Sequence, residues 1–328
     1  MRYRSLGQSG IQASVIAFGA WAIGGWRWGG TDAQASVQAI QAALDSGINF
    51  IDTAAVYGFG LSEELVGQAI KGRPRDQIVI ATKCGLRWDI ETPTLHASSD
   101  DNHKIYRSLQ ADSIRWEVEQ SLTRLGTDYI DLYQPHWLDP VTPNSAVMDT
   151  LLALKTEGKI LSIGVCNASA EDLAEFRAVG PLDSDQERYN MLDRTREADN
   201  LPYCQQQGLA FLAYSPMAQG LLTGKVNPQR TFPEDDIRHG NPKFSSENRQ
   251  RVANLLTQLQ PIADAKQIRI EHLVLAWTLE QPGMSHVLVG ARNTEQACNN
   301  ALAGVVEFSA TEQAEINRIV NAFKGLES

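Results

Sequence analysis

Eight short β-rich segments recur along the chain with helical patterns between them, and this alternation constrains the fold more than any other feature. The segments are "VIAFG" (15–19), "INFID" (48–52), "IVIAT" (78–82), "YIDLY" (129–133), "SIGVC" (162–166), "SDQER" (184–188), "LAFLAY" (209–214) and "HVLVG" (286–290). Seven are largely apolar, as is typical of parallel strands covered by helices, whereas the sixth is too polar to assign from its pattern alone.

Eight strand-helix units close naturally into a barrel. The sequence therefore predicts the α/β class: a (β/α)8 TIM barrel with an N-terminal β-hairpin in "MRYRSLGQSGIQAS" and extra helices. No Pro/Ser-rich linker interrupts the alternation, so we expect a single domain over residues 1–328.

Helix start signals support the alternation: Thr31 with Gln34, Asn144, and Ser169 with Asp172. Gly47 and Gly158 supply stops.

Two long polar insertions follow predicted strands. They are residues 86–111, after the third strand, and residues 218–247, after the seventh. Long loops in compact domains are more often functional than accidental, with disorder as the alternative. In a barrel, loops after strands lie on the C-terminal face, where the active sites of this fold are found.

Composition excludes several classes of function. The formal charge is −10, from 29 Lys and Arg against 39 Asp and Glu, and no basic run forms a stripe for nucleic acid. No apolar run reaches about 18 residues and the N-terminus lacks a secretory pattern, so we expect a cytoplasmic protein without a membrane partner. The oligomeric state is not readable, and a monomer is compatible with the sequence.

Cysteine and histidine spacing argues against a metal site. The cysteines lie far apart and form no C-x-x-C pair, which suits reduced thiols: they are Cys84, Cys166, Cys204 and Cys298. The six histidines show no H-x-x-x-H spacing, so no helical zinc site is expected.

Four reactive side chains lie at or just after the ends of successive predicted strands: Asp52, Tyr57, Lys83 and His136. A tyrosine with an ordinary pKa near 10 donates a proton near neutrality only if a cation stabilises its anion, and Lys83 could be that cation. Asp52 would keep the lysine charged, and His136 could orient a substrate oxygen. Each residue alone has a structural explanation as a cap, a packing residue or a strand end, but the four together favour an active site.

At these residues the chain resembles the aldo-keto reductases over almost its full length. The family's "D-T-A-x-x-Y-G" signature matches at Asp52 to Gly58, and "ATKCG", "LYQPHW", "GVCNAS", "QERYN" and "AYSPMAQGLLTGK" match its later segments. The resemblance implies a catalytic tetrad in which Tyr57 is the general acid, Lys83 and Asp52 tune it, and His136 orients a carbonyl. It also implies that the cofactor is NADPH/NADP.

The resemblance further implies where this cofactor binds. Asn167 and Gln186 would hold the carboxamide, Tyr214 would stack on the nicotinamide, and Leu221 and Lys225 would lie at the pyrophosphate. The other implied contacts are Gly19, Trp21, Asp52, Cys166, Ser215, Pro216, Gly220, Gly290, Arg292, Gln296 and Asn300. Cys166 departs from the family, which usually has serine there, so the carboxamide would depend more on Asn167 and Gln186.

The segment "VGARNTEQACNN" also indicates an anion site from its own chemistry. Asn293 and Gln296 form a candidate capping box that opens a helix. A helix N-terminus beside Arg292 would suit the 2′-phosphate of NADP, the alternative being a solvated surface charge. For the substrate, Trp21, Trp88 and Trp137 could line an apolar pocket with Tyr57 and His136, although tryptophan at a barrel mouth can also be simple packing.

The leading hypothesis is an NADP(H)-dependent oxidoreductase that reduces an aldehyde or ketone, a small-molecule carbonyl, to an alcohol. Three alternatives remain open from the sequence. Lys83 could form a Schiff base in an aldolase, which would need a neutral lysine despite Asp52. The chain could instead be an NADP-binding regulatory or sensor subunit with weak reductase activity, or a sugar or polyol dehydrogenase working in the reverse direction.

Overall fold

The computed structural model describes residues 1–98 and 103–326, so positions 99–102 of the first insertion and the last two residues of the chain lie outside it. Within these residues the strands are β1 (Tyr3–Ser5), β2 (Gln12–Ser14), β3 (Ile16–Gly19), β4 (Phe50–Asp52), β5 (Val79–Cys84), β6 (Leu86–Arg87), β7 (Leu95–Ser98), β8 (Lys104–Arg107), β9 (Ile130–Pro135), β10 (Ile160–Cys166), β11 (Ser184–Arg188), β12 (Ala210–Tyr214) and β13 (Met284–Gly290).

Eight of these strands form a closed parallel barrel in the order β3-β4-β5-β9-β10-β11-β12-β13, with β13 pairing back to β3. All eight predicted segments are barrel strands, including the polar sixth. The predicted hairpin is also present, as the antiparallel pair β1 and β2. The predicted (β/α)8 class with an N-terminal hairpin is therefore confirmed.

Helices follow the barrel strands and cover the outside of the barrel. They are α1 (Ala33–Asp45), α2 (Leu61–Ile70), α3 (Ala111–Leu125), α4 (Asn144–Thr156), α5 (Ala170–Val179), α6 (Asn200–Gln207), α7 (Ser246–Ala265), α8 (Ile270–Leu279), α9 (Thr294–Leu302) and α10 (Ala310–Asn321). Both α7 and α8 follow β12, and α10 follows α9, which accounts for the predicted extra helices. No helix in the described part of the chain is long and apolar enough to span a membrane.

The barrel interior is packed, and the hairpin closes its N-terminal end. Phe50, Leu132 and Leu212 lie inside the barrel with no exposed surface, and Leu6 and Ala13 from the hairpin region join the same apolar cluster. A larger cluster lies between the outer faces of the strands and the helices. With the N-terminal end filled, the C-terminal end is the open mouth, as in other barrels of this kind.

The sixth strand tolerates its polar residues because three of them, Asp185, Gln186 and Glu187, are buried against hydrogen-bonding partners. Asp185 accepts a 2.7 Å hydrogen bond from the Asn200 amide. Glu187 accepts from the Ala168 backbone N–H at 2.8 Å and pairs with Arg196 at 3.0 Å. Buried polar groups are tolerated when they are paired in this way, and apolar patterning does not detect such a strand.

Two of the predicted start signals need correction. The cap of α1 is Asp32, whose carboxylate accepts from the Ala35 N–H at 3.0 Å, and Thr31 is not the cap. Asn144 is the first residue of α4 rather than its cap, since Pro143 precedes it there. The predicted box of Ser169 with Asp172 is present and reciprocal at the start of α5.

The described residues of both insertions contain more regular structure than polar loops do. Residues 86–111 carry the antiparallel sheet β6-β8-β7 and then begin α3. Residues 218–247 contain 3-10 turns at Ala218–Thr223 and Pro242–Phe244, and end in the first turn of α7. Both follow barrel strands, so they lie on the C-terminal face, as the sequence predicts.

Candidate active site

The four predicted tetrad residues meet at the barrel mouth because their strands end at one edge of the sheet. Asp52 ends β4, Lys83 lies near the end of β5 and His136 follows β9, while Tyr57 lies in the turn before α2. The Lys83 ammonium donates to Asp52 Oδ1 at 2.8 Å and to the Thr53 carbonyl at 2.9 Å. It also lies 3.5 Å from the Tyr57 hydroxyl.

The turn that carries Tyr57 packs directly on the backbone after β3. Gly58 has a φ of +64°, and a Cβ added there would lie 2.2 Å from the Gly24 carbonyl oxygen. Only glycine fits this contact without displacing one of the two segments. The turn places the Tyr57 ring 5.7 Å from the His136 ring and 6.3 Å from the Trp21 ring, measured between centroids.

Burial and charge together set the protonation of the lysine and the tyrosine. Burial alone would lower the pKa of Lys83, but the neighbouring Asp52 and Tyr57 raise its pKa above the ordinary value of 10.5. Burial raises the pKa of Tyr57 above 10, and the Lys83 cation opposes this rise. At neutral pH the lysine is therefore charged and the phenol holds its proton, which makes Tyr57 a donor and Lys83 a poor nucleophile.

His136 is neutral at this position. Burial, followed by the charge of Lys83, holds the pKa of His136 well below its ordinary value of 6.5. Its backbone carbonyl accepts a 2.8 Å hydrogen bond from the Asn167 amide, which ties the end of β9 to the end of β10. A neutral imidazole beside a phenol can orient a carbonyl oxygen without adding a second charge.

The predicted carboxamide-binding residues form a second polar group beside the tetrad. Asn167 accepts from the Tyr214 hydroxyl at 2.8 Å, and Gln186 donates to Asp52 Oδ2 at 2.8 Å. Asn167 and Ser215 each have a φ of +55°, at the ends of β10 and β12. Left-handed backbone at non-glycine residues clusters at functional sites, because surrounding structure must hold it in place.

A cavity of about 680 Å³ opens above these residues. Most of the predicted contacts line it: Gly19, Trp21, Asp52, Tyr57, His136, Trp137, Asn167, Gln186, Tyr214, Ser215, Pro216, Gly220, Lys225, Gly290, Arg292, Gln296 and Asn300. Lys83 does not line the cavity, but its ammonium contacts the hydroxyl of Tyr57, which does.

Three predicted contacts are not brought to this cavity. The Cys166 side chain is buried below the mouth, and burial raises the pKa of its thiol. Leu221 is buried in the outer apolar core. Trp88 packs on Phe59 with 5.6 Å between ring centroids, on the inserted sheet's side of the barrel. Apolar and thiol side chains at loop and strand ends are as well suited to packing as to binding, so sequence alone could not separate the two.

The far end of the cavity is formed by the segment after β13. Asn293 caps α9 by accepting from the Gln296 N–H at 2.9 Å. The predicted capping box is not reciprocal, because the Gln296 side chain instead accepts from the Arg292 N–H at 2.8 Å. The exposed Arg292 guanidinium donates to the carbonyls of Trp28 at 3.0 Å and Gly30 at 2.7 Å.

Other residues line the cavity that sequence reasoning missed. Trp26 and Trp28 come from the loop after β3, His96 from the inserted sheet and Arg238 from the second insertion. The clustered tryptophans of "GGWRWGG" and the histidine in β7 could have indicated an aromatic wall and a polar group at the mouth. Across residues 1–98 and 103–326, no group of three His, Cys, Asp or Glu side chains is arranged to hold a metal ion.

Comparison with known proteins agrees with this geometry. A family model described as the aldo/keto reductase family matches residues 15–321. The chain is 42% identical over 325 residues to the aldo-keto reductase YhdN of Bacillus subtilis strain 168, which covers 98% of this chain and 94% of the relative. It is 39% identical over 329 residues to the NADH-specific methylglyoxal reductase of Escherichia coli strain K12, covering 99% and 100% of the two chains.

The fold comparison gives the same result. The solved structure of the glycerol dehydrogenase AKR11B4 from Gluconobacter oxydans is similar with a TM-score of 0.86 at 37% identity, covering 97% of this chain and 94% of that one. The family match extends over nearly the whole length and includes the strands that carry the tetrad, so the resemblance seen in the sequence is confirmed. The chain belongs to the aldo/keto reductase family.

Proposed function

We propose that this oxidoreductase uses NADP(H) to reduce an aldehyde or ketone to an alcohol. The observation that carries the proposal is the arrangement of Lys83, which contacts both Asp52 and the Tyr57 hydroxyl at the floor of a cavity that extends to Arg292. A charged lysine under a protonated phenol is suited to proton donation.

The residues around the cavity fit a nicotinamide dinucleotide. Amide groups of Asn167 and Gln186 lie beside the tetrad, and the aromatic ring of Tyr214 lines the same wall. At the other end, a helix N-terminus and an arginine suit a phosphate. When bound, the nicotinamide supplies or accepts the hydride, which is chemistry that the side chains alone do not provide.

The tetrad residues have separate tasks in the proposed reaction. Tyr57 donates its proton to the carbonyl oxygen as negative charge develops there, and Lys83 stabilises the phenolate that remains. Asp52 keeps Lys83 charged and fixed through the 2.8 Å ion pair. The neutral His136 orients the carbonyl against Tyr57, which excludes misaligned binding.

The preference for NADP rests on Arg292. Its guanidinium donates to two neutral carbonyls, and a phosphate dianion is a stronger acceptor than either, so a 2′-phosphate would displace them. The Escherichia coli relative is named as NADH-specific, and replacing Arg292 distinguishes the two coenzymes here. Arg292→Ala should weaken NADPH binding at least about tenfold and leave NADH binding nearly unchanged, measured by fluorescence titration. Equal losses of NADPH and NADH affinity would contradict a role of Arg292 in the preference for NADP.

One comparison supports the reverse direction as a second candidate. The similar structure from Gluconobacter oxydans is named as a glycerol dehydrogenase, and in that direction the Tyr57 phenolate, stabilised by Lys83, would accept the proton of the alcohol while oxidised NADP takes the hydride. Rates with a carbonyl and NADPH, set against rates with a polyol and NADP, would rank the two directions.

The central test is Tyr57→Phe, assayed by NADPH oxidation with a panel of aldehydes and ketones. Turnover should fall by about 10²–10⁴-fold, the usual contribution of a positioned general acid, while NADPH binding is retained. Tyr189→Phe is the matched control, since Tyr189 is a buried tyrosine whose hydroxyl bonds Glu197 and does not line the cavity. Full activity of Tyr57→Phe would refute the mechanism.

A further inference from the structure

His96 reaches the cavity from the inserted sheet, at a shift in the register of β7. β7 pairs with β8 through Leu95 opposite Tyr106 and Ala97 opposite Ile105, and the register shifts between Leu95 and Ala97. Bulges often re-aim a side chain next to an active site. Leu95 is 52% exposed to solvent, whereas His96 lines the cavity with Tyr57 and His136.

Arg107 determines which nitrogen of His96 carries the proton. Arg107 Nε donates to His96 Nδ1 at 3.2 Å, and a guanidinium has no acceptor atom. Nδ1 must therefore be the acceptor, and the neutral ring is protonated at Nε2. Burial and then the charge of Arg107 lower the pKa of His96 to about 4, so the ring is neutral near pH 7.

Arg107 is itself held in place, so the tautomer of His96 is fixed by structure. Its guanidinium donates to the Leu138 carbonyl at 3.1 Å and lies 5.3 Å from the centroid of the Trp137 ring. Its backbone N–H donates to the Thr94 carbonyl at 2.8 Å. These contacts connect β8 to the segment after β9, which carries His136.

The His96 ring lies beside Trp137, the residue that follows the proposed carbonyl-orienting His136. The His96 ring is 5.4 Å from the Trp137 ring, and Trp137 directly follows His136. The surrounding lining is apolar and includes Val56, Leu86 and Ile105. A wall that combines apolar side chains with a donor of fixed direction selects ligands that carry an acceptor at that point.

We propose that His96 is a specificity-determining residue whose Nε2–H donates a hydrogen bond to a second oxygen of the substrate, close to the reacting carbonyl. The favoured substrates are then α-oxo and α-hydroxy carbonyl compounds rather than simple alkyl aldehydes. The inference rests on the proposed carbonyl reductase activity, and it adds the substrate class that this site selects.

The test compares two aldehydes of nearly equal shape. In 2-hydroxypropanal a hydroxyl group takes the place of one methyl group of 2-methylpropanal. His96→Phe keeps a ring against Trp137 but removes the donor, and His96→Gln keeps an acceptor for Arg107 and an N–H donor. For each variant, kcat/KM is measured with both aldehydes and NADPH, and thermal melting confirms folding.

The wild type is expected to prefer 2-hydroxypropanal. His96→Phe should lower kcat/KM for 2-hydroxypropanal by roughly three- to tenfold, which is the range of one hydrogen bond, and should change the methyl analogue less than about twofold. His96→Gln should restore much of the preference. Equal changes for both aldehydes, or no change in either, would overturn the role of His96 while leaving the reductase proposal intact. A wild type that reduces neither aldehyde nor any other carbonyl would overturn both.

Discussion

Replacing Asp52 by asparagine removes the only charge that the structure places directly against Lys83 Nζ within the described residues. The lysine side chain is 1% exposed and the aspartate side chain 6%. In Asp52→Asn the Lys83 ammonium would remain buried with two neutral oxygen partners and the Tyr57 hydroxyl. The new amide has one oxygen where the carboxylate has two. If that oxygen accepts from Lys83, the amide N–H groups face the Gln186 N–H that now donates to Asp52 at 2.8 Å. If the oxygen accepts from Gln186 instead, Lys83 loses its acceptor.

Breaking a buried ion pair from one side typically costs about 3–5 kcal/mol of unfolding free energy. Unfolding entropy is about 2.1 cal/mol/K per residue, so a chain of 328 residues changes its Tm by roughly 1.5 °C per kcal/mol. The expected decrease in Tm near neutral pH is therefore about 4–7 °C.

The pH dependence of this loss distinguishes the ion pair from a general packing defect. In the wild type the raised pKa of Lys83 contributes stability that is fully present below pH 10.5 and is lost as the pH rises through the higher folded-state value. Without Asp52, burial, the largest single effect on Lys83, should bring its folded-state pKa below 10.5. The folded variant would then release a proton that the unfolded chain keeps, so its stability should rise with pH in that interval.

Chemical denaturation of wild type and variant at several pH values between about 7 and 10 is the assay. The stability difference should shrink as the pH rises. Asp131→Asn is the matched control, since Asp131 pairs with Arg75 at 2.6 Å and that guanidinium stays charged over the whole range. The stability difference between wild type and Asp131→Asn should stay constant over this pH range. A loss for Asp52→Asn below about 1 kcal/mol, or one that grows with pH, would refute the reasoning.

Three further outcomes are expected. Gly58→Ala should destabilise the fold and reduce kcat, because the new Cβ would collide with the Gly24 carbonyl. The control is Gly126→Ala, which has the same φ of +64° but open space around it. Thermal melts should show that this control costs only about 1–2 kcal/mol of unfolding free energy. Burial raises the pKa of Glu117 from 4.5 to about 8, so this carboxyl makes stability fall as the pH rises through that window, and Glu117→Gln should remove the contribution of one proton from the slope. An unchanged slope would mean that Glu117 does not titrate there. Cys166→Ser should keep or improve NADPH affinity in fluorescence titration, and a large loss would count against the alignment at Cys166.

The barrel and the tetrad could be predicted because both follow from local pattern. Apolar runs of strand length give the strands, and parallel strands bring their carboxyl ends to one edge. Asp52, Lys83 and His136 therefore had to lie near each other once the strands were identified. Even the polar sixth strand could be proposed from its place in the alternation, although its burial depends on partners such as Asn200 and Arg196 that lie elsewhere in the chain.

What the sequence could not determine depends on contacts between distant segments. Arg292 bonds two carbonyls in the loop after β3, and the histidine of β7 lies at a register shift and takes its tautomer from Arg107. Cys166 and Leu221 have the same residue types that a binding wall would use, and only packing places them in the interior. The sequence thus determined the barrel and the placement of the four candidate catalytic residues at one edge of it, since strand order and residue type suffice for these. The protonation states and the lining of the substrate pocket were decided by tertiary structure, because burial, charge and side-chain direction arise only when the segments meet.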